Sequence, residues 1–146
     1  MMSVYPRVLR FKRKYPMTIV FRLRKHAAVV DSILDKDEKV LYAFCGQRND
    51  DNRFLFDSCV VALTNKRIIV GEKRILGYYI INVRAELFND LKIRAGLFFG
   101  HVEIYTVKEN IHISNLDKKS LDEIETMIHR IINDNKKRIS EENKNS

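Results

Sequence analysis

The hydrophobic positions of this chain follow two periods, and the change from one to the other falls near residue 38. Over residues 18–34 the apolar side chains recur every three or four positions, which is the period of a helix. These positions are Val20, Leu23, Ala27, Val30, Ile33 and Leu34. Thr18 is placed to cap the first turn, and a polar run at 35–39 ends the pattern. The sequence therefore predicts an N-terminal helix over residues 18–35.

From residue 40 onward, short segments rich in β-branched and aromatic residues are separated by polar or glycine-containing breaks. This rhythm predicts seven antiparallel strands, at residues 40–46, 54–64, 67–72, 77–83, 91–95, 101–107 and 110–114. Between the second and third strands, Asn65 is expected to take the positive φ of a type I′ hairpin turn. That turn would place Leu63 opposite Ile68 and Val61 opposite Val70.

A second helix is predicted from about residue 117 to residue 138, and the polar residues 139–146 are expected to fray. Its apolar stripe consists of Leu121, Ile124, Ile128, Ile131 and Ile132. A bent antiparallel sheet leaves an open apolar end, which such a stripe can cover. The predicted fold class is α+β, mainly β: a bent antiparallel barrel of about seven strands, capped by the C-terminal helix, with an extra N-terminal helix. Another small β-barrel with a helical cap and a two-layer α+β sandwich also fit the pattern.

Two segments carry a family resemblance, namely the acidic lead-in at 37–41 and the hairpin at 61–70 with its Leu63-Thr64-Asn65-Lys66-Arg67 core. Together they resemble the bacterial PH (pleckstrin-homology-like) domain family over about residues 35–138. The resemblance implies a PH-like barrel that acts as a binding or scaffolding fold. The corresponding domains are a basic arm at 1–17, the N-terminal helix at 18–35, the PH-like domain at 36–138 and a polar tail at 139–146.

Eukaryotic relatives of that family often bind phosphoinositides through basic residues in the first strand pair and its loop. In this sequence the corresponding loop, 47–53, holds two arginines and two aspartates. Its charges cancel, so we do not transfer the lipid headgroup site to this chain.

The charge of the chain is concentrated at its N-terminus. The 27 Lys and Arg exceed the 19 Asp and Glu by 8, and residues 1–25 contain eight basic residues and no acid. The eight are Arg7, Arg10, Lys12, Arg13, Lys14, Arg22, Arg24 and Lys25. A charge run is often only a solvated tail. Because aromatic residues are interleaved here, the same run also suits an anionic membrane surface, or the phosphates of a nucleic acid.

A second candidate contact is the apolar turn of Leu97, Phe98 and Phe99 between two glycines. Such side chains either fold back into the core or, if exposed, form a protein contact or a self-association patch. The strand at 77–83 begins with residues that are apolar on both faces, and we expect the N-terminal helix to bury it.

No motif in the sequence indicates catalysis. The four histidines fall on different elements, no glycine-rich phosphate loop is present, and Cys45 and Cys59 lie within strand patterns as small buried hydrophobes. We therefore expect no catalytic residue, no metal site, no cofactor and no disulfide. The longest apolar runs are far shorter than a membrane span or the core of a signal peptide, so we expect a cytoplasmic protein.

These features predict a non-enzymatic, PH-like interaction module. It would bind protein partners or assemble with itself into a homo-oligomer, and its basic arm would contact an anionic membrane peripherally, at the inner face. The first alternative is a nucleic-acid-binding protein that uses the same arm. The second is a barrel that binds a small molecule.

Overall fold

The computed structural model describes residues 3–48 and 57–145 of the chain. Its helices are α1 (Val4–Lys14), α2 (Leu23–Ile33) and α3 (Leu121–Lys144), with short 3₁₀ turns at Ala85–Leu87 and Lys118–Ser120. Its strands are β1 (Val40–Arg48), β2 (Asp57–Thr64), β3 (Arg67–Lys73), β4 (Tyr78–Arg84), β5 (Phe88–Ala95), β6 (Gly100–Thr106) and β7 (Asn110–Leu116). All seven predicted strands are confirmed, although residues 54–56 of the second prediction lie outside the described residues.

The strands form one antiparallel sheet in the order β4-β3-β2-β1-β7-β6-β5. The β2–β3 register places Leu63 opposite Ile68, as predicted. β1 runs beside β2 over its whole length, but its register with β7 involves only Gln47 and Arg48. The first half of β1 therefore has an edge that no described strand covers.

The β2–β3 turn is closed differently from the prediction. Asn65 has no positive φ, so the type I′ turn was wrong. Instead, the Thr64 hydroxyl accepts hydrogen bonds from the amides of Lys66 and Arg67. The Asn65 side-chain oxygen meanwhile accepts from the Lys39 amide at 2.9 Å. Side-chain hydrogen bonds thus close this turn in place of the type I′ backbone conformation predicted for Asn65.

The two faces of the sheet are covered by different helices. A Cβ atom built on Gly71 would lie 2.6 Å from Val30 Cγ2, so α2 lies directly against β3 on this face. Neighbouring residues of a strand point to opposite faces, so Val70 and Glu72 point into the barrel. On that side α3 buries Ile124 and Ile128 completely, and it contributes the helical cap that the sequence predicts.

Residues 4–14 form a helix, α1, within the segment that the sequence suggested was only a basic arm. α1 buries Val4, Val8 and Phe11, and it packs on β1 and on α2. These positions recur at helical spacing, but the basic residues between them dominate the sequence pattern.

The start of the predicted N-terminal helix was also wrong. Thr18 does not cap it, because the Thr18 hydroxyl accepts a hydrogen bond from the amide of Asp117. The chain then continues to Arg22, whose left-handed conformation (φ 57°) precedes the first residue of α2, Leu23.

Two further expectations were corrected at the edges of the fold. Tyr78 is exposed and Tyr79 and Ile80 are only half-buried, because β4 ends the sheet and α2 packs mainly on β2 and β3. Residues 139–144 do not fray but continue α3, which is anchored by the Asn135 amide on the Thr64 carbonyl. None of the helices in the described part of the chain is long and apolar enough to cross a membrane.

Candidate functional site

Seven of the eight predicted anion-binding residues are exposed on the two N-terminal helices and the residue before α2. We call these seven the basic face: Arg7, Arg10, Arg13, Lys14, Arg22, Arg24 and Lys25. The eighth, Lys12, is half-buried, and its Nζ donates to the Pro16 carbonyl at 2.7 Å. The structure thus gathers the predicted residues on one helical layer.

Contacts between α1 and α2 hold the basic face together. The Arg24 guanidinium lies 4.4 Å from the centre of the Tyr5 ring, which joins the two helices by a cation–π contact. Asp31 is the one carboxylate in the sequence of these two helices. Its Oδ1 accepts hydrogen bonds from the amides of Ser3 and Val4, at the N-terminus of α1. The only acid of the layer is thus used in a helix cap, and it lies at the opposite end of α1 from Lys14.

Two large apolar side chains are exposed in the link between α1 and α2. Met17 and Phe21 each expose 66% of their surface. Their backbones are fixed, because the Met17 amide donates to Asp117 Oδ2 and the Phe21 amide donates to Ser58 Oγ. No sequence pattern distinguishes Met17, because its exposure depends on contacts with distant residues.

A groove of about 350 Å³ lies where the uncovered edge of β1 faces α1 and α3, and we call it the α1–α3 groove. Its lining is cationic along α1 and apolar on its floor: Arg7, Arg10, Phe11, Lys14, Leu41, Tyr42, Ala43, Glu123 and Met127. Tyr42, Glu123 and Met127 were missed by sequence reasoning, because they join the groove through contacts between residues far apart in the chain.

A hydrogen-bonded network closes one end of this groove. Glu123 accepts from Lys14 Nζ at 2.6 Å and from the Tyr42 hydroxyl at 2.8 Å. Burial acts to raise the pKa of Glu123, but the bonds from Lys14 and Tyr42 outweigh it and hold the pKa below its usual value. Burial, followed by the contact with Glu123, raises the pKa of Tyr42. The carboxylate is therefore charged and the phenol neutral at neutral pH.

The other two cations of the groove have no such partner. Neither Arg7 nor Arg10 forms an ion pair with a residue that the structure describes, and the Arg7 side chain donates only to the Ser3 carbonyl. Both guanidinium groups are exposed on the side of α1 that lines the groove. They are available to an anion from outside the chain.

The barrel interior contains a buried ion pair between Arg48 and Glu72. The guanidinium groups of Arg48 and Arg74 lie 4.4 Å and 4.5 Å from the centre of the Tyr79 ring. Burial raises the pKa of Glu72, against the opposing effect of Arg48. Arg48 ends β1, and the predicted loop at 47–53 continues beyond it into residues 49–53, which lie outside the described residues.

The predicted protein-contact residues lie at the tip of the β5–β6 hairpin. Leu97 and Phe98 expose 81% and 75% of their surface, and Phe99 is half-buried. The Leu97 carbonyl accepts from Lys118 Nζ at 2.6 Å, which holds the tip against the 3₁₀ turn that precedes α3. A second exposed apolar tip, Ile75 and Leu76 between β3 and β4, was not singled out from the sequence.

The remaining candidate residues do not form a chemical site in residues 3–48 and 57–145. No three His, Cys, Asp or Glu side chains meet there as metal ligands. Cys45 and Cys59 are buried and free, and burial raises the pKa of Cys45 to about 12. His26 is buried, and its Nδ1 accepts from the Lys73 amide at 2.8 Å.

Comparisons with known proteins identify a family match for the central part of the chain. A family model described as a bacterial PH domain matches residues 34–130. No curated protein matches the chain. One similar solved structure is a DUF1696 family protein with a pleckstrin-homology domain from Shewanella loihica PV-4. It is 14% identical, has a TM-score of 0.47, and the similarity covers 77% of this chain and 98% of that one. α1 and α2, which carry the basic face, lie outside the residues that the family model matches.

Proposed function

The chain belongs to the bacterial PH domain family, and we propose that it is an interaction module that docks its basic face on an anionic membrane surface. The family is in general a non-catalytic interaction module. In this chain, the two helices that precede the family domain would supply the binding surface. The proposed location is the inner face of the cytoplasmic membrane, as a peripheral protein.

The observation that carries this proposal is the position of Met17 and Phe21 beside the cations of the basic face. The two side chains follow α1 and precede α2 on a fixed backbone, with Lys14 and Arg22 close to them in the chain. Each Lys or Arg near an anionic bilayer contributes about 1 kcal/mol of attraction. Exposed Met and Phe side chains add hydrophobic insertion at the headgroup boundary. The basic face and the apolar link thus supply both components of peripheral membrane binding.

Nucleic acid is the alternative partner for the same cations. Phosphate contacts would use the basic face equally well, and both kinds of binding weaken as salt rises. Met17 and Phe21 favour the membrane, because a bilayer buries protruding apolar side chains whereas a duplex backbone does not. A small-molecule site inside the barrel has no comparable observation in its favour.

A protein contact at the β5–β6 tip is the second candidate function. Its support is the high exposure of Leu97 and Phe98, with the half-buried Phe99 beneath them. Large apolar side chains that are exposed together are a feature of protein interaction sites. We propose that this tip binds a protein partner or a second copy of the chain.

Sedimentation with vesicles tests the membrane proposal. The full chain should pellet with phosphatidylcholine vesicles that contain phosphatidylglycerol, and remain in solution with phosphatidylcholine alone. The variant R13Q/R22N/K25Q removes three cations of the basic face, with Asn chosen because it tolerates the left-handed conformation of Arg22. It should lose most of the binding. The control variant K36Q/K39Q/K137Q removes the same charge elsewhere and should retain it.

Two further experiments distinguish membrane binding from nucleic-acid binding and from an effect of net charge alone. The variant M17S/F21S keeps every cation, and we expect weaker vesicle binding with unchanged binding to a random DNA duplex. Stronger binding to the duplex than to anionic vesicles at equal salt would replace the membrane by a nucleic acid. Equal loss of vesicle binding in both triple variants would show that only net charge matters and would refute a defined docking face.

A further inference from the structure

We infer that the α1–α3 groove binds one anionic phospholipid molecule, with its phosphate between Arg7 and Arg10 and the first part of its acyl chains on Leu41 and Met127. The inference deepens the proposed function and rests on it only for the bilayer as the source of the lipid. It assigns a defined site for a single lipid molecule within the membrane-facing surface.

The groove exists because the sheet is incomplete at this point. β1 is paired with β7 only near its end, so α1 and α3 stand on either side of the uncovered edge of its first half. Phe11 and Ala43 are buried at the bottom. A volume of about 350 Å³ lies at the lower end of the range of about 300–1,000 Å³ that is usual for small-molecule sites. It suits a headgroup phosphate with the adjoining methylene groups rather than a whole lipid.

The charge of the groove suits one phosphate group. Arg7, Arg10 and Lys14 follow one another at helical spacing on the side of α1 that lines the groove. Glu123 compensates Lys14, which leaves the two arginines as the uncompensated cations. Guanidinium groups bind phosphate oxygens through paired hydrogen bonds, so two neighbouring arginines form an effective clamp. A phosphate there would not need to displace Lys14 from Glu123.

The apolar residues of the groove indicate an amphiphile rather than a free phosphate ion. Leu41 points out of a strand and is 45% exposed, and Met127 is half-buried beside it on α3. Water-exposed Leu and Met gain free energy when a hydrocarbon chain covers them. Met also adapts its shape to irregular chains. An inorganic anion would leave this half of the groove empty.

The position of the groove favours a membrane lipid over an acidic peptide. Arg7, Arg10 and Lys14 belong both to the groove and to the basic face, so a bilayer docked on that face brings its headgroups to the rim of the groove. A carboxylate-rich peptide would meet the same arginines in solution, without this concentration at the surface. We therefore assign the lipid and make the peptide an outcome of the test.

The experiment is an NMR titration of the ¹⁵N-labelled full chain with dihexanoylphosphatidic acid below its micelle concentration. The reference ligands are glycerol 3-phosphate, which lacks the chains, and dihexanoylphosphatidylcholine, which lacks the net charge. We expect saturable shifts at the amides of Phe11 and Ala43 for phosphatidic acid, and affinities at least about tenfold lower for both references. Because two charge-assisted hydrogen bonds are removed, R7Q/R10Q should weaken binding by about tenfold or more.

A filled groove provides a test that leaves the charge unchanged. The variant L41W/M127W occupies the apolar half, and its matched control, I75W/L76W, adds the same side chains at the distant β3–β4 tip. We expect only the first to lose phosphatidic acid binding, while both still pellet with anionic vesicles. Because R7Q/R10Q changes only exposed side chains, it decides the matter if L41W/M127W fails to fold.

Each remaining outcome separates the inference from the proposed function. Equal affinity for phosphatidic acid and glycerol 3-phosphate would refute the acyl contact. Shifts at Phe11 and Ala43 with a Glu-rich hexapeptide, but none with phosphatidic acid, would assign the groove to a peptide and overturn the inference. Vesicle binding without binding of the short-chain lipid would refute the groove site and leave membrane docking intact. Binding of the short-chain lipid without vesicle binding would refute membrane docking and leave the groove site intact.

Discussion

The hydroxyl of Thr18 accepts a hydrogen bond of 2.9 Å from the amide of Asp117, a residue 99 positions further along the chain. Both residues are buried. A second hydrogen bond joins the same two segments, because Asp117 Oδ2 accepts from the Met17 amide, while its Oδ1 accepts locally from the Lys119 amide. This pair fastens the link between α1 and α2 to the start of the C-terminal helical segment, and it holds the exposed Met17 in position.

Replacing Thr18 by Val should destabilise the protein by about 1–3 kcal/mol, because a buried amide of Asp117 loses its acceptor while the side-chain volume is kept. Urea denaturation monitored by circular dichroism measures the change. The same substitution at the exposed Thr126, T126V, is the control and should stay within about 0.5 kcal/mol of the wild type. An equal effect of the two substitutions would mean that the Thr18 bond adds nothing to stability.

Glu38 should make stability depend on pH in the acid range. Burial acts to raise its pKa, but hydrogen bonds from Arg67, Thr64 and the Asp35 amide lower the pKa from 4.5 to about 2. The folded state thus holds the proton less tightly than the unfolded state. The stabilisation is present above about pH 4.5 and is lost as the pH falls towards 2. At about 1.4 kcal/mol per pKa unit, it amounts to roughly 3 kcal/mol at pH 7.

The variant E38Q isolates this contribution. We expect it to be less stable than the wild type at pH 7 by about 2–3 kcal/mol, and the difference should fall to about 0.5 kcal/mol or less near pH 2, where about half of the wild-type Glu38 carboxyls are protonated. Urea titrations at pH 7, 4 and 2 give the difference, and E125Q on the exposed face of α3 is the control. A difference that stayed constant with pH would contradict the lowered pKa.

Gly71 should resist substitution because α2 leaves no room for a side chain. A methyl group there would lie 2.6 Å from Val30 Cγ2, so G71A should cost about 1–3 kcal/mol through overpacking. The double variant G71A/V30A removes the clash. Its loss of stability should be smaller than the sum of the two single losses by at least about 0.5 kcal/mol. Additive losses would show that α2 does not rest on β3 at this point.

The β5–β6 tip should control self-association without affecting the fold. Replacing Leu97 and Phe98 by Ser removes two exposed apolar side chains, so we expect an unchanged melting temperature and a loss of any concentration-dependent oligomer in sedimentation velocity. The variant I75S/L76S makes the same change at the other exposed tip and should leave the oligomer intact. If the wild-type chain stays monomeric up to millimolar concentration, self-association through the tip is refuted. The proposed partner of the tip would then be a different protein.

The sequence was most informative where contacts are local or where they repeat along a strand. The seven strands follow from alternation and turn residues, and the two segments that carry the family resemblance meet directly in the structure. Glu38, from the acidic lead-in, accepts from Arg67 of the hairpin at 2.8 Å and 2.9 Å. The Lys66 ammonium lies 2.9 Å from Asp37 in the same way. The motif is recognisable because its two parts form one set of ion pairs.

The sequence was less informative where a contact joins distant residues. Lys14 and Glu123 are 109 residues apart, and Tyr42 and Glu123 are 81 apart, so no local pattern brings them to one groove. α1 was read as a basic arm because charge obscured its short apolar stripe of Val4, Val8 and Phe11. That stripe becomes a helix only when β1 and α2 are present to cover it.

The buried pair of Arg48 and Glu72 has a consequence for how the strands align during folding. A slip of one residue in β3 would turn Glu72 from the barrel interior to the side of the sheet where Val30 lies, and it would separate the Glu72 carboxylate from the Arg48 guanidinium. The hydrophobic side chains of β3, Ile68 to Val70, are apolar on both faces and oppose such a slip only weakly. The buried charge pair and the close approach of α2 at Gly71 thus together fix the register of strands whose apolar residues alone would accept either alignment.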